Sequence, residues 1–286
     1  MRAVRLASTA VTAAVLLAAL TACGSGSGKS GDDAKSPDTK SAATKDPGSL
    51  AAALTGDPKA ALAAAALVMQ KAGNGKVAMI TPDSSQPGGA GTADWKDPGK
   101  ASVDLTSDME GKKLKVRVIG TDAYVGGDDT AAPALGGKHW VKVPASEEMG
   151  SAFLVMGQMM NPVAQLTVAG QSGKPSKVGE ETVDGVRTTH LRAVEDTSVL
   201  VAGMTSLSAE QRQSVQKTLE EDGKTLTIDF WLNDKQELVK YREYGDTNGE
   251  SKAVTVTYSD LGKGAKFEAP AAGDLGSPAD LLKLLG

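Results

Sequence analysis

Apolar and polar residues alternate along most of the chain after residue 75, a pattern typical of strands with one buried face. Short turns rich in Gly, Asp and Asn separate these stretches. Neighbouring strands should therefore pair antiparallel, with one face in water and the other face buried. The pattern predicts about ten strands. They cover residues 76–80, 91–96, 101–106, 113–118, 123–125, 139–143, 179–191 (a hairpin), 226–232, 238–244 and 253–258.

Three other stretches place apolar residues at helical spacing. The first begins at Asp57 and Pro58, because Asp is a good N-cap and Pro suits the first helical position. It ends at the glycines that follow residue 72. The last runs from Ser208 to Glu221, where Ser208 and Gln211 form the pattern of a capping box. These helices and the strands together predict an α+β fold with an antiparallel meander.

The third helical stretch lies in a segment, residues 149–173, that contains no charged residue. Asn161 and Pro162 end its apolar stripe, and the stripe is too interrupted to span a membrane. A core helix under the sheet is one interpretation. The other is that a Met-rich face lines an apolar ligand cavity, since Met adapts to variable apolar partners. The candidate cavity residues are Phe153, Met156, Met159 and Met160.

The first 23 residues have the organisation of a secretory signal. Arg2 and Arg5 make a basic start, and an uncharged apolar run extends from there to Leu20. The sequence Leu-Thr-Ala-Cys at residues 20–23 resembles the lipobox of bacterial lipoproteins. That resemblance implies cleavage before Cys23 and a diacylglyceryl group on its sulfur. The alternative is an ordinary signal peptide with an incidental cysteine.

The expected organisation is a signal peptide at 1–22, a lipidated cysteine and disordered tether at 23–56, and one lipoprotein domain at 57–286. Acyl chains, palmitate among them, would hold the protein on the outer, extracytoplasmic face of the cell membrane. Cys23 is the only cysteine, so no disulfide can form within the chain.

Charge and motifs exclude several classes of function. Removal of Arg2 and Arg5 with the leader takes the net charge from −4 to −6, which argues against nucleic acid. Residues 26–30 end like a phosphate-binding loop, but the loop's first glycine is replaced by Cys23 and neither a strand nor a helix flanks it. We expect no enzyme, cofactor or metal: His139 and His190 are the only histidines, and hydrolase and metalloprotease motifs are missing.

Three features together resemble one family of actinobacterial cell-envelope lipoproteins. These are the lipobox at Cys23, the phrase Gly-Glu-Glu-Thr-Val-Asp-Gly-Val at 179–186 leading to His190, and the strand Ile-Asp-Phe-Trp-Leu-Asn-Asp at 228–234. The family is LppX/LprAFG, which is similar in fold to the LolA and LolB lipoprotein carriers. The resemblance implies a half-open antiparallel barrel curved over helices, an apolar cavity between them, and carriage of acylated lipids or glycolipids.

Two functional hypotheses follow. In the first, a membrane-anchored monomer binds or carries acylated lipid in an apolar cavity, and such a ligand needs a dry concave pocket. In the second, the cavity is collapsed and the protein is an interaction or sensor lipoprotein that acts through a protein partner of the envelope. The volume of the cavity distinguishes them.

Overall fold

The computed structural model describes residues 56–82, 88–97, 100, 102–109, 112–144, 147–205, 207–281 and 283. The predicted signal peptide, the lipidated Cys23 and the tether at 23–56 lie outside these ranges, except for Gly56. No helix of the described ranges is both long enough and apolar enough to cross a membrane.

A single antiparallel sheet of eleven strands organises the described residues. The strands are β1 Asn74–Ile80, β2 Gly89–Asp94, β3 Ser102–Met109, β4 Lys112–Ile119, β5 Asp122–Gly126, β6 Trp140–Val143, β7 Ser176–Val183, β8 Val186–Asp196, β9 Thr225–Asn233, β10 Leu238–Gly245 and β11 Val254–Ser259. Their order across the sheet is β6-β5-β4-β3-β2-β1-β11-β10-β9-β8-β7. The sheet is open, because its two edge strands, β6 and β7, do not pair with each other.

Five α-helices accompany the sheet in the described ranges. They are α1 Pro58–Ala72, α2 Glu148–Met159, α3 Pro162–Gln171, α4 Thr197–Gly203 and α5 Ala209–Asp222. The helices α2 and α3 connect the edge strand β6 to the opposite edge strand β7, and α3 packs along α1. The expected α+β half-barrel over helices is confirmed, with eleven strands rather than about ten.

The cap residues act as the sequence indicates, with one addition. The Asp57 carboxylate accepts a hydrogen bond from the Lys59 amide, and Ser208 and Gln211 form the full capping box. Asn161 and Pro162 end α2 as expected, but they also begin α3, because Asn161 accepts hydrogen bonds from two amides of its first turn. The pair is therefore the same N-cap and proline signal that starts α1.

The core lies between the helices and the inner face of the sheet. Trp95, which follows β2, is fully buried, and its indole Nε1 donates to the Met69 carbonyl at the end of α1 at 2.6 Å. The same ring meets Tyr258 of β11 edge-on at 6.0 Å. Tyr258 in turn donates its hydroxyl to the Met160 carbonyl between α2 and α3. These contacts join three helices to the centre of the sheet.

The inner positions of β2 carry almost no side chain. They are Gly89, Gly91 and Ala93, which pair with Met79, Val77 and Gly75 of β1. A Cβ atom at Gly91 would lie 1.9 Å from the Asp104 carbonyl oxygen of β3. Glycine within a strand marks such a close backbone approach, and it often occurs where a barrel-like sheet bends.

Replacement of Gly91 by alanine should therefore destabilise the sheet. The added methyl collides with backbone rather than with a movable side chain, so we expect a loss of about 1–3 kcal/mol in the free energy of unfolding, measured by urea denaturation. Gly179→Ala in β7 is the control, because a Cβ there would have open space around it. Equal losses at the two positions would contradict the close approach.

Candidate functional site

The helix α2, which has no charged residue after Glu148, packs against β4 and β5 on the inner face. Gly157 lies over Val118 of β4: a Cβ at Gly157 would be 3.4 Å from the Val118 side chain, an ordinary van der Waals distance. Leu154 is buried in the core. One side of the helix is therefore part of the core. Its other apolar residues lie beside this buried side.

The four residues proposed for a cavity divide into two groups. Met160 is completely buried and belongs to the core. Phe153, Met156 and Met159 are only partly buried, and Phe153 and Met156 pack against the core from its margin. The side of the helix that faces the core is therefore buried, whereas the apolar residues beside it remain partly exposed to water. Whether these residues line a ligand cavity stays a prediction.

The half of the sheet beneath α2 is thinly covered at the end of β1 and the start of β4. Met79 and Leu114 are partly buried there. Between them, the register places Gly89 and Ser107 at the same level of the inner face. Two of four neighbouring positions therefore contribute little side-chain volume.

The described residues form two surface clefts that are lined mainly by charged and polar residues. One has a volume of about 440 Å³ and is lined by Lys115, Gly127, Asp128, Asp129, Thr130, His139, Trp140 and Asp274. The other, about 610 Å³, lies along α5 and is lined by Glu210, Gln213, Gln216, Lys217 and Glu220. Neither includes any of the four proposed cavity residues.

His139, in the first cleft, links the chain around Asp274, which belongs to the C-terminal segment after β11, to the edge of the sheet at β6. Its Nδ1 lies 2.8 Å from Asp274, and its Nε2 lies 3.1 Å from Asp129. The hydrogen bond with Asp274 raises the pKa of His139 above its ordinary value. The Asp274 carboxylate also accepts from the His139 backbone amide at 3.0 Å. These contacts make His139 part of a structural link between the edge of the sheet and Asp274.

The outer face of β9 carries a charge cluster that the sequence analysis did not predict. Asp229 is completely buried and accepts hydrogen bonds from Arg192 of β8 and Arg242 of β10, each at 2.7 Å. His190 lies 2.8 Å from the same carboxylate. We call Asp229, His190, Arg192 and Arg242 the outer cluster. Burial alone would raise the pKa of Asp229, but the hydrogen bonds from these partners outweigh it and hold the pKa well below its ordinary value.

Trp231 covers one side of the outer cluster. Its ring stacks on His190 with centroids 4.3 Å apart, and its Nε1 donates to Glu181 at 3.1 Å. The Lys240 ammonium lies 4.4 Å from the centre of the same ring. The expected wet face is therefore wrong for the middle of β9, where Ile228 to Leu232 are buried on both faces. Asp229 and Trp231 alternate with core residues of β9, so the sequence pattern places them on the outer face of the sheet. It does not reveal the side chains that bury them there.

No protein-family model matches the chain, but individual proteins of similar sequence do. The uncharacterized 31.2 kDa protein of the rplA-rplJ intergenic region of Streptomyces griseus is 31% identical over 212 residues, which are 68% of this chain and 70% of that protein. The chain belongs to the family of this protein. A putative lipoprotein of Streptomyces coelicolor, SCO4650, is 28% identical, and the match covers 98% of this chain and 96% of that protein.

Solved structures similar to the chain include members of the family that the sequence resembles. LprF from Mycobacterium bovis is 16% identical, with 75% of this chain and 97% of that chain covered and a TM-score of 0.48. Mycobacterium tuberculosis lipoprotein LppX is 15% identical, with 74% and 100% covered and a TM-score of 0.45. The expected resemblance to the LppX/LprAFG lipoproteins is confirmed.

Asp229→Asn should cost about 3 kcal/mol in the free energy of unfolding, because it removes the buried carboxylate that pairs with two partly buried arginines. Since the folded pKa of Asp229 lies below its ordinary value, its contribution is complete above that value and is lost as the pH falls through the folded pKa. Urea denaturation at pH 7 measures the loss. Asp234→Asn, at an exposed turn, is the control. A loss no larger than the control's would show that the outer cluster does not stabilise the sheet.

Proposed function

We propose that the protein is a membrane-anchored extracytoplasmic lipoprotein that binds acylated lipid or glycolipid between α2 and the inner face of the sheet. It is not proposed to catalyse a reaction. The observation that carries the lipid-binding proposal is the helix α2, which has no charged residue after Glu148 and whose Phe153 and Met156 are left partly exposed over a sheet with a glycine-rich strand.

Anchoring has its own support. The leader that ends in Leu-Thr-Ala-Cys has the order of basic, apolar and small residues found in lipoprotein signals. The Streptomyces coelicolor relative, matched over nearly the full length of both chains, is described as a putative lipoprotein. Two acyl chains on Cys23 would hold the protein stably at a bilayer, whereas one would hold it only marginally.

Lipid binding is supported by the unequal filling of the inner face. An acyl chain requires apolar walls and space that a small displacement of side chains can open. Met156 of α2 and, on the sheet beneath it, Met79 and Leu114 are flexible apolar residues at the margin of the core. Gly89 and Gly91 of β2 add no side-chain volume to the inner face. Carriage between membranes would require the bound lipid to leave again, and an open sheet with movable Met side chains suits such exchange.

A second candidate function is an interaction or sensor lipoprotein with a protein partner in the envelope. The complete burial of Met160 and the burial of Leu154 favour it, because these residues already fill part of the space beneath the helices. In that case the polar clefts, rather than the inner face, would be the functional surface.

Cys23→Ala should abolish anchoring, because the alanine side chain cannot accept a lipid. We expect the variant to leave the membrane fraction and to lose incorporation of an alkyne-tagged palmitate in a bacterial host, while Ser25→Ala keeps both. Fractionation and in-gel detection of the tag measure the two effects. A Cys23→Ala variant that still incorporates the tag would rule out this cysteine as the acylation site.

Met156→Asp should weaken binding of a fluorescent fatty-acyl probe by about tenfold or more, because a carboxylate would face the acyl chain. Ala152→Asp, at an exposed position of the same helix, should bind as the wild type does. Native mass spectrometry of residues 24–286 provides the independent measurement. A bound lipid mass that disappears on denaturation supports the proposal. An apo mass together with no probe binding moves the assignment to the second candidate.

A further inference from the structure

Two glutamates lie on the inner face of the sheet, where the sequence pattern calls for apolar residues. Glu195 continues the inner row of β8 after Leu191 and Ala193, and Glu243 follows Tyr241 in the inner row of β10. The register places them opposite Leu226 and Ile228 of the strand between them, β9. They are only 4% and 5% exposed. Both carboxyl groups are therefore enclosed beneath the helices.

The two carboxyl groups have few partners. Glu243 accepts a hydrogen bond from the Tyr241 hydroxyl. Glu195 has one distant contact, 3.5 Å from its Oε2 to the Ser172 hydroxyl at the end of α3, and its Oε1 has no hydrogen-bond partner among the described residues. A Cβ atom at Gly173 would lie 2.9 Å from this Oε1, so the chain that leaves α3 rests directly on the carboxyl group.

The charges that face the pair oppose ionisation. Asp222, at the end of α5, is a like charge that acts on Glu243, and Glu243 itself acts on Glu195. The phenols of Tyr241 and Tyr258 are the titratable groups contributed by β10 and β11. The sequences of α3 and α4 contain no charged residue. Burial and these like charges raise the pKa of each glutamate to about 7.

We propose that Glu195 and Glu243 form a proton-dependent latch, which closes the end of α3 and the helix α4 onto the sheet when both carboxyl groups are neutral and releases them when the groups ionise. A neutral carboxyl group tolerates this enclosure, whereas a carboxylate must be hydrated or paired. Because Oε1 of Glu195 faces the chain after α3, water reaches it only if that chain moves away. This inference does not depend on lipid binding.

The sign of the pH dependence follows from linkage. Each glutamate binds its proton more tightly in the folded state than in the unfolded chain, where its pKa has the ordinary value of 4.5. The latch is therefore fully closed below pH 4.5 and weakens as the pH rises to neutrality. The two glutamates ionise near neutral pH, where ordinary carboxyl groups are already ionised. Release of the latch can therefore be distinguished from the protonation of other carboxylates at low pH.

Hydrogen exchange on the full chain in detergent tests the latch. After correction for the intrinsic rates, exchange in residues 169–173 and 193–203 should be about tenfold faster at pH 8 than at pH 5. The double variant Glu195→Gln with Glu243→Gln should lose this difference, because Gln copies the neutral acid. Glu221→Gln, at an exposed position of α5, should keep it.

Two results would overturn the inference. One is an equal pH dependence in the wild type and the double variant, and the other is acceleration spread evenly over all eleven strands. A variant that fails to fold does not block the test, because NMR titration of the glutamate carboxyl carbons needs only the wild type. Two carboxyl groups that titrate near neutrality are expected, and titration of every carboxyl group below about pH 5.5 would refute the latch.

Discussion

The antiparallel pairing of β1 with β11 is the contact on which the rest of the fold depends. It joins two meanders, β1 to β6 and β7 to β11, into one sheet. The Asn74 carbonyl and side chain accept from the amides of Gly262 and Gly264, which fixes the chain immediately after β11 beside the start of β1. Trp95 and Tyr258 meet beneath this seam. Without it, the inner face would be divided and neither half could cover the helices.

The two halves of the sheet are secured on their outer faces by different means. In the first half, the C-terminal segment crosses the strands: the Arg117 guanidinium lies 4.6 Å from the Trp140 ring and 5.9 Å from the Phe267 ring, and it donates to the Glu268 carbonyl at 2.7 Å. In the second half, the outer cluster gathers two arginines and a histidine around one buried carboxylate. A cation held by aromatic rings and a carboxylate held by cations thus serve the same purpose.

Local signals in the sequence were sufficient for the strands, for the helices α1, α2 and α5 and for the α+β class, because apolar spacing and caps depend on neighbours in the chain. Asn161 and Pro162 show the limit of such signals, since one pair of residues both ends α2 and begins α3. Asp229 and Glu195 could not be interpreted from the sequence for a different reason. Their environments are made by residues on other strands and helices, and only the register and the helix packing bring these together.

The position of β11 has a consequence for the order of folding. Ile80 of β1 pairs with Thr255, so the partner of an early strand is among the last strands to be made. Closing a loop of this length is costly in chain entropy, and folds that depend on distant pairings form slowly. Until β11 arrives, one side of β1 offers unpaired backbone groups to any extended chain nearby. The growing chain is therefore exposed to misassembly at its centre rather than at the edges of the finished sheet.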